Sequence, residues 1–227
     1  LGYKPTDDQT MCLKLLSEYI AGNTNDYIFL LTGYAGTGKT SIIASLVRTL
    51  DVLRMKSVLM APTGRAAKVL RSYSGKDAFT IHKKIYRQKS ATDGMGSFVL
   101  DRNLHKDTYF IIDESSMISG ESAEATVFGT GNLLEDLIQY VYTGTDCKLI
   151  IAGDVAQLPP VGSVLSPALD EDVLRTTGFG ITSCELKQVI RQSQGSGVLM
   201  NATAVREQIT YGDLSIPSFN LGSYKDI

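Results

Sequence analysis

Of the 227 residues only three are cysteine, no tryptophan occurs, and the net charge is a mere −2. Cys12, Cys147 and Cys184 show no metal-ligand spacing, and an odd count argues against a disulfide framework. A reducing, cytoplasmic (intracellular) setting is therefore expected. No apolar run approaches the roughly 18 residues that a membrane span needs, so no membrane partner is expected. A basic-then-apolar leader with a small-residue cleavage site is also lacking, and the chain begins with Leu1. Neither an internal repeat nor a low-complexity segment is evident. What remains is a chain of ordinary composition, 43% hydrophobic and 20% charged, long enough to bury a real core.

The small net charge hides an uneven distribution. Residues 54–106 hold twelve Lys/Arg against three Asp, an excess of +9, while the rest carries ten basic and twenty-one acidic side chains, or −11. A basic block on an acidic body marks either the track of a polyanion or a solvated lysine-rich helix face. Charge alone leaves both readings open.

Short apolar runs alternate with helical patterns. "YIFLLT", "SVLMAP", "YFIID", "KLIIAGD" and "GITSCEL" read as buried strands. "DDQTMCLKLLSEYIAG", "KTSIIASLVRTL", "GRAAKVLRSY" and "NLLEDLIQYVYTG" read as helices, the last with Asn132 as N-cap and Gly144 as stop signal. This alternation predicts an α/β fold, a mostly parallel sheet with helices on both faces. Ligands of such sheets bind beyond the carboxyl ends of the strands, and the polar motifs lie there: from Gly33, Pro62, Asp113 and Gly153 onward. Residues 86–106 break the alternation. Their "TDGMGS" turn predicts a small inserted β-hairpin or loop.

"GYAGTGKTS" (33–41) fits the phosphate-loop pattern G-x-x-x-x-G-K-[ST] through Gly33, Gly38, Lys39 and Thr40. Its glycines let backbone N–H groups turn toward phosphate oxygens, so Gly33, Gly36, Thr37, Gly38, Lys39, Thr40 and Ser41 are the expected nucleotide contacts. Lys39 is placed to reach the β- and γ-phosphates, and the Thr40 hydroxyl to join a Mg²⁺ shell. In "FIIDESSM", Asp113 is expected to hold Mg²⁺ through water and Glu114 to accept a proton from an attacking water. Alone, that pair reads better as an acidic cap on a following turn; the phosphate loop upstream favours the functional reading. "GDVAQLPPVG" (153–162) offers Gln157 as a γ-phosphate contact beside two stiffening prolines, yet by itself is a good surface turn.

Taken in order, these motifs resemble the first RecA-like motor domain of superfamily-1 DNA helicases, in the RecD-like, Dda-like and Pif-type branch. "DDQ" with Gln9 resembles the adenine-reading motif and "GYAGTGKT" motif I. "APTGRAA" (61–67) is similar to motif Ia, "TIHKKIY" (80–86) to motif Ib, "DESSM" to motif II and "GDVAQLPPVG" to motif III. "LKQVIRQ" (186–192) resembles motif IV, and "ATAVREQITYGD" the helix after it. The resemblance covers about residues 9–213.

That resemblance implies a P-loop NTPase (RecA-like) fold using ATP and Mg²⁺, with Gln9 on the adenine and Arg191 as a cation near the γ-phosphate. It puts Pro62, Thr63, Arg65, Thr80 and His82 near single-stranded DNA, all within the basic block. Residues 86–106 fall where the branch carries a strand-separating pin, with Phe98 or Met95 as stacking candidates; a plain surface loop is the alternative. The implied organisation is an ATPase domain over 1–213 and a tail or linker over 214–227. A second RecA-like domain of the same protein would then complete the motor. The implied activity is an ATP-dependent DNA helicase working on single-stranded DNA and single-strand/duplex junctions, moving 5′ to 3′, as a monomer. The fragment alone is expected to hydrolyse ATP poorly. A PhoH-like P-loop ATPase and a non-enzymatic DNA-binding fragment are the rival readings.

Overall fold

The computed structural model describes residues 4–22, 26–89, 97–120, 127–160, 162–163, 165–188, 197–213 and 215–222. Compactness divides the chain into Leu1–Ile190 and Arg191–Ile227. The helix matched to the end of the family pattern thus falls in the second unit, with the tail.

The first unit is built on six parallel strands: β1 (Tyr27–Gly33), β2 (Lys56–Ala61), β3 (Ala78–Thr80), β6 (Thr108–Ile112), β7 (Lys148–Gly153) and β8 (Gly180–Leu186). Their spatial order is β3-β2-β6-β7-β1-β8. Five are the apolar runs read from the sequence; β3 is too short to stand out in it. Successive side chains of a strand face opposite ways, and here both faces are buried. Phe29 and Leu31 pack with α1 (Asp7–Ala21), α2 (Lys39–Val52) and α3 (Gly64–Ser74), through Leu16, Ile43, Val47 and Leu70. Ile28 and Leu30 join the opposite layer, which includes Ile81 and Ile85 of α4 (Ile81–Ile85) and Leu137 and Val141 of α5 (Leu133–Tyr142). A short α6 (Glu171–Thr176) precedes β8 and adds Leu174 to that layer. Asn132 caps α5 as expected, its side chain accepting from the Glu135 amide at 3.1 Å.

The expected hairpin forms between β4 (Tyr86–Gln88) and β5 (Phe98–Leu100), antiparallel and paired Tyr86 to Leu100. Phe98 is committed to the body of the domain: its ring stacks on Phe128 at 4.6 Å, and its backbone bonds to Val127 and Gly129. A ring so engaged anchors the hairpin; Met95, the other stacking candidate, lies outside the described residues.

In the second unit, α7 (Gly197–Thr210) corresponds to the helix expected after motif IV. Asn201 on α7 exchanges two hydrogen bonds with the backbone of Asn220, pinning the segment that follows. None of the described helices is long and apolar enough to cross a membrane.

Candidate nucleotide and nucleic-acid site

The sheet order gathers the polar motifs. β6, β7 and β1 are neighbours, so the residues that leave their carboxyl ends, Asp113, Asp154 and the 33–41 loop, emerge side by side. These segments are about 80 and 40 residues apart in the chain; only the crossovers bring them together.

Gly33 closes β1 opposite Leu186 of β8. A Cβ there would sit 2.7 Å from the Leu186 carbonyl oxygen, so only glycine lets the loop leave the sheet at this point. Gly38 caps α2 at φ 95°, a left-handed conformation that suits glycine and helps turn loop amides inward. Thr37 is buried, its hydroxyl donating to the Tyr34 carbonyl at 2.8 Å. Lys39 Nζ lies across the loop, 2.6 Å from the Gly33 carbonyl and 2.9 Å from that of Tyr34. Thr40 and Ser41 occupy the first turn of α2, with Thr40 exposed.

Gln9 is fully buried on α1. Its Oε1 accepts from the Thr6 amide at 3.3 Å while its Nε2 donates to the Thr37 carbonyl at 3.0 Å. The amide therefore closes a capping box and ties α1 to the phosphate loop. Asp8 secures the same helix to the end of β8, its Oδ2 accepting from the amides of Lys187 (2.9 Å) and Gln188 (3.0 Å). The position expected to read adenine thus also carries the loop's support.

Asp113 is 5% exposed. The Tyr73 hydroxyl of α3 donates to its Oδ2, and the Glu114 amide donates to its Oδ1 at 2.9 Å. Burial raises the Asp113 carboxyl above the ordinary range, against the pull of those two donors and of Lys39. Glu114 is exposed and held at φ 57°, in the left-handed region. A 3-10 turn over Ser115–Met117 follows, and Ser116 Oγ donates to Gln157 Oε1 at 3.0 Å. Asp154, buried at the end of β7, accepts from the Ala156 amide at 2.9 Å and leads into exposed Gln157.

The fit to a magnesium ion follows from the donors. Thr40 and Asp113 supply hard oxygens, the kind Mg²⁺ prefers, and a desolvated carboxylate with a raised pKa gains from a nearby cation. Among the described residues no cluster of three or more His, Cys, Asp or Glu side chains could cage a metal.

The expected DNA contacts occupy the other end of the sheet. Ala61 pairs with Thr80 in register, which brings the end of β2, with Pro62 and Thr63, alongside the start of α4. Thr63 caps α3 and Thr80 caps α4, each side-chain oxygen accepting a backbone amide at 3.2 Å. A hydroxyl so used still has a proton to donate. Arg65 is exposed on the first turn of α3. His82 packs edge-on to Phe128 at 5.0 Å, and burial lowers its pKa. Its ring is part of the aromatic cluster beneath the hairpin. Arg191 lies outside the described residues.

Tyr73, Ser116 and Asp8 were not singled out by their residue types. Ser116 sits within a quoted motif, but nothing in the sequence of α3 marks Tyr73.

Comparison with known proteins accords with this architecture. Residues 17–214 match the family model described as "AAA domain". The chain belongs to that family. Its motif order and fold are similar to those of relatives named as Pif1 and RecD2 helicases. The chain is 35% identical over 184 residues to the uncharacterized protein R530 of Acanthamoeba polyphaga mimivirus, covering 71% of this chain and 34% of that one. It is 28% identical over 182 residues to the ATP-dependent DNA helicase Pif1 of Psychrobacter sp. (strain PRwf-1), covering 74% and 25%. In fold it resembles the Pif1 helicase from Bacteroides solved in complex with ADP-AlF3 and single-stranded DNA. The TM-score is 0.54 at 18% identity, over 98% of this chain and 53% of that one. The chain spans about a third or less of the length of the curated relatives it matches.

Proposed function

We propose that this AAA domain is the ATP-binding half of a DNA helicase motor. The observation that carries the reading is the juxtaposition of the glycine-rich loop with buried Asp113, exposed Glu114 and the Ser116–Gln157 pair at three adjacent strand ends. Backbone amides of residues 33–41 and Lys39 bind the ATP phosphates, and Gln9 reads the base. Thr40 and Asp113 would hold Mg²⁺, which would neutralise phosphate charge. Glu114 orients the attacking water and takes its proton, while Gln157 contacts the γ-phosphate and Arg191 adds positive charge there.

Pro62, Thr63, Arg65, Thr80 and His82 lie along a single-stranded DNA path, with phosphates held by exposed cations without sequence preference. The relative from Bacteroides, solved with both ADP-AlF3 and single-stranded DNA, supports the pairing of the two ligands. Translocation, with 5′ to 3′ polarity, requires a second RecA-like domain of the same protein. This half alone hydrolyses ATP weakly.

Titration with a fluorescent ATP analogue and a labelled oligothymidine tests the reading. ATP binding that Lys39→Ala weakens at least tenfold, with oligothymidine binding that falls as salt rises, is the expected pair of results. Nucleotide affinity indifferent to Lys39→Ala favours the DNA-binding fragment, and no affinity for single strands favours the PhoH-like ATPase.

A further inference from the structure

Tyr73 reaches Asp113 from α3, and the motif reading has no use for it. Its ring packs with the core under α3, beside Leu70. Its hydroxyl leaves that core and donates to Asp113 Oδ2. The phenol therefore ties α3 to the end of β6, 40 residues along the chain, with the Thr40 side chain nearby.

The other Asp113 oxygen is held by the Glu114 amide at 2.9 Å. A carboxylate gripped at both oxygens cannot swing about its side-chain torsions. Each oxygen keeps one further lone pair, whose direction the two donors set. Magnesium demands near-ideal octahedral geometry and gives up its waters reluctantly, so a carboxylate that receives a metal-bound water must be aimed in advance. Partners of this outer kind typically account for 10–100-fold in metal affinity.

We propose that Tyr73 is a positioning residue for the magnesium–nucleotide complex, its hydroxyl fixing the orientation of the Asp113 carboxylate. The proposal rests on the nucleotide-site reading above and deepens it. Tyr73 touches neither phosphate nor water in the reaction; it acts through Asp113. The ring serves packing and the hydroxyl serves the site, so the two roles separate in Tyr73→Phe.

The test is equilibrium binding of a fluorescent ADP to wild type, Tyr73→Phe and Lys39→Ala, first in EDTA and then across a Mg²⁺ titration. Thermal melting of each ligand-free protein runs in parallel. For Tyr73→Phe the expected result is metal-free affinity within about twofold of wild type, a melt lowered modestly by the one lost hydrogen bond, and a Mg²⁺ midpoint raised about tenfold. An unchanged Mg²⁺ midpoint overturns the proposal. So does an equal loss of affinity with and without Mg²⁺, because that marks the residue as packing alone. If wild type binds ADP and Lys39→Ala does not, a null result for Tyr73→Phe sinks only the positioning role. If wild type binds no nucleotide, both readings fall.

Discussion

Ser116 Oγ donates a 3.0 Å hydrogen bond to Gln157 Oε1, joining the turn after β6 to the loop after β7. The bond fixes which end of the Gln157 amide faces the turn: Oε1 is occupied, so Nε2 is the end left to meet a phosphate oxygen. A glutamine placed in this way can register the γ-phosphate and pass the change to the acidic turn beside it.

Ser116→Ala removes that anchor without removing a group from the nucleotide. A neutral hydrogen bond contributes about 1 kcal/mol, so hydrolysis should fall about fivefold. ATP affinity should stay within about twofold. In a double-mutant cycle with Gln157→Ala the effects should be clearly non-additive. Simple additivity would mean that the two residues act apart.

Glu114 sits at φ 57° with a side chain that the left-handed region disfavours. In most of a chain alanine is better than glycine, but at this backbone the order should reverse. Glu114→Gly should melt above Glu114→Ala, by roughly the 1 kcal/mol that a Cβ costs there. Both should lose steady-state ATP hydrolysis while retaining nucleotide binding. An alanine variant more stable than the glycine variant would remove strain from the account of this site.

Both histidines of the chain, His82 and His105, have pKa values held below the ordinary value, chiefly by burial. The folded protein therefore binds fewer protons there than the unfolded chain, and stability rises with pH across that window. The contribution is present above about pH 6.5 and is lost as pH falls through the lowered folded values. Melting midpoints between pH 7.5 and 5.5 should accordingly drop, and the drop should be smaller in His82→Asn. An identical slope in the variant would count against a buried neutral imidazole at position 82.

Arg65 is exposed at the first turn of α3, beside the Thr63 cap. If it holds one phosphate of a single strand, Arg65→Ala should reduce the salt slope of oligothymidine binding by about 0.7. The weakening should be similar for any sequence of bases. Fluorescence anisotropy at several salt concentrations decides the matter. A slope equal to that of wild type would place Arg65 off the DNA path.

The chain's own order of residues determined the local parts of this molecule. Five apolar runs became β1, β2, β6, β7 and β8 because strands buried on both faces need unbroken apolar character. The 33–41 loop was legible because its backbone demands glycine where a Cβ would strike Leu186 or where φ turns positive. Asn132 was legible because capping is settled within four residues. The short β3 and α4 were not, since neither is long enough to show a period.

What the tertiary structure alone decided is who meets whom. Gln9 reaches Thr37 across 28 residues, Tyr73 reaches Asp113 across 40, and Ser116 reaches Gln157 across 41. Ser116–Gln157 depends on β6 lying beside β7 and Tyr73–Asp113 on β2 lying beside β6, and all three depend on the face over which each helix crosses. A tyrosine on an amphipathic helix carries no local sign of whether its hydroxyl will end in solvent or on a buried carboxylate. The packing of α3 against the sheet settles that, by carrying the hydroxyl to a desolvated carboxylate that needs a donor.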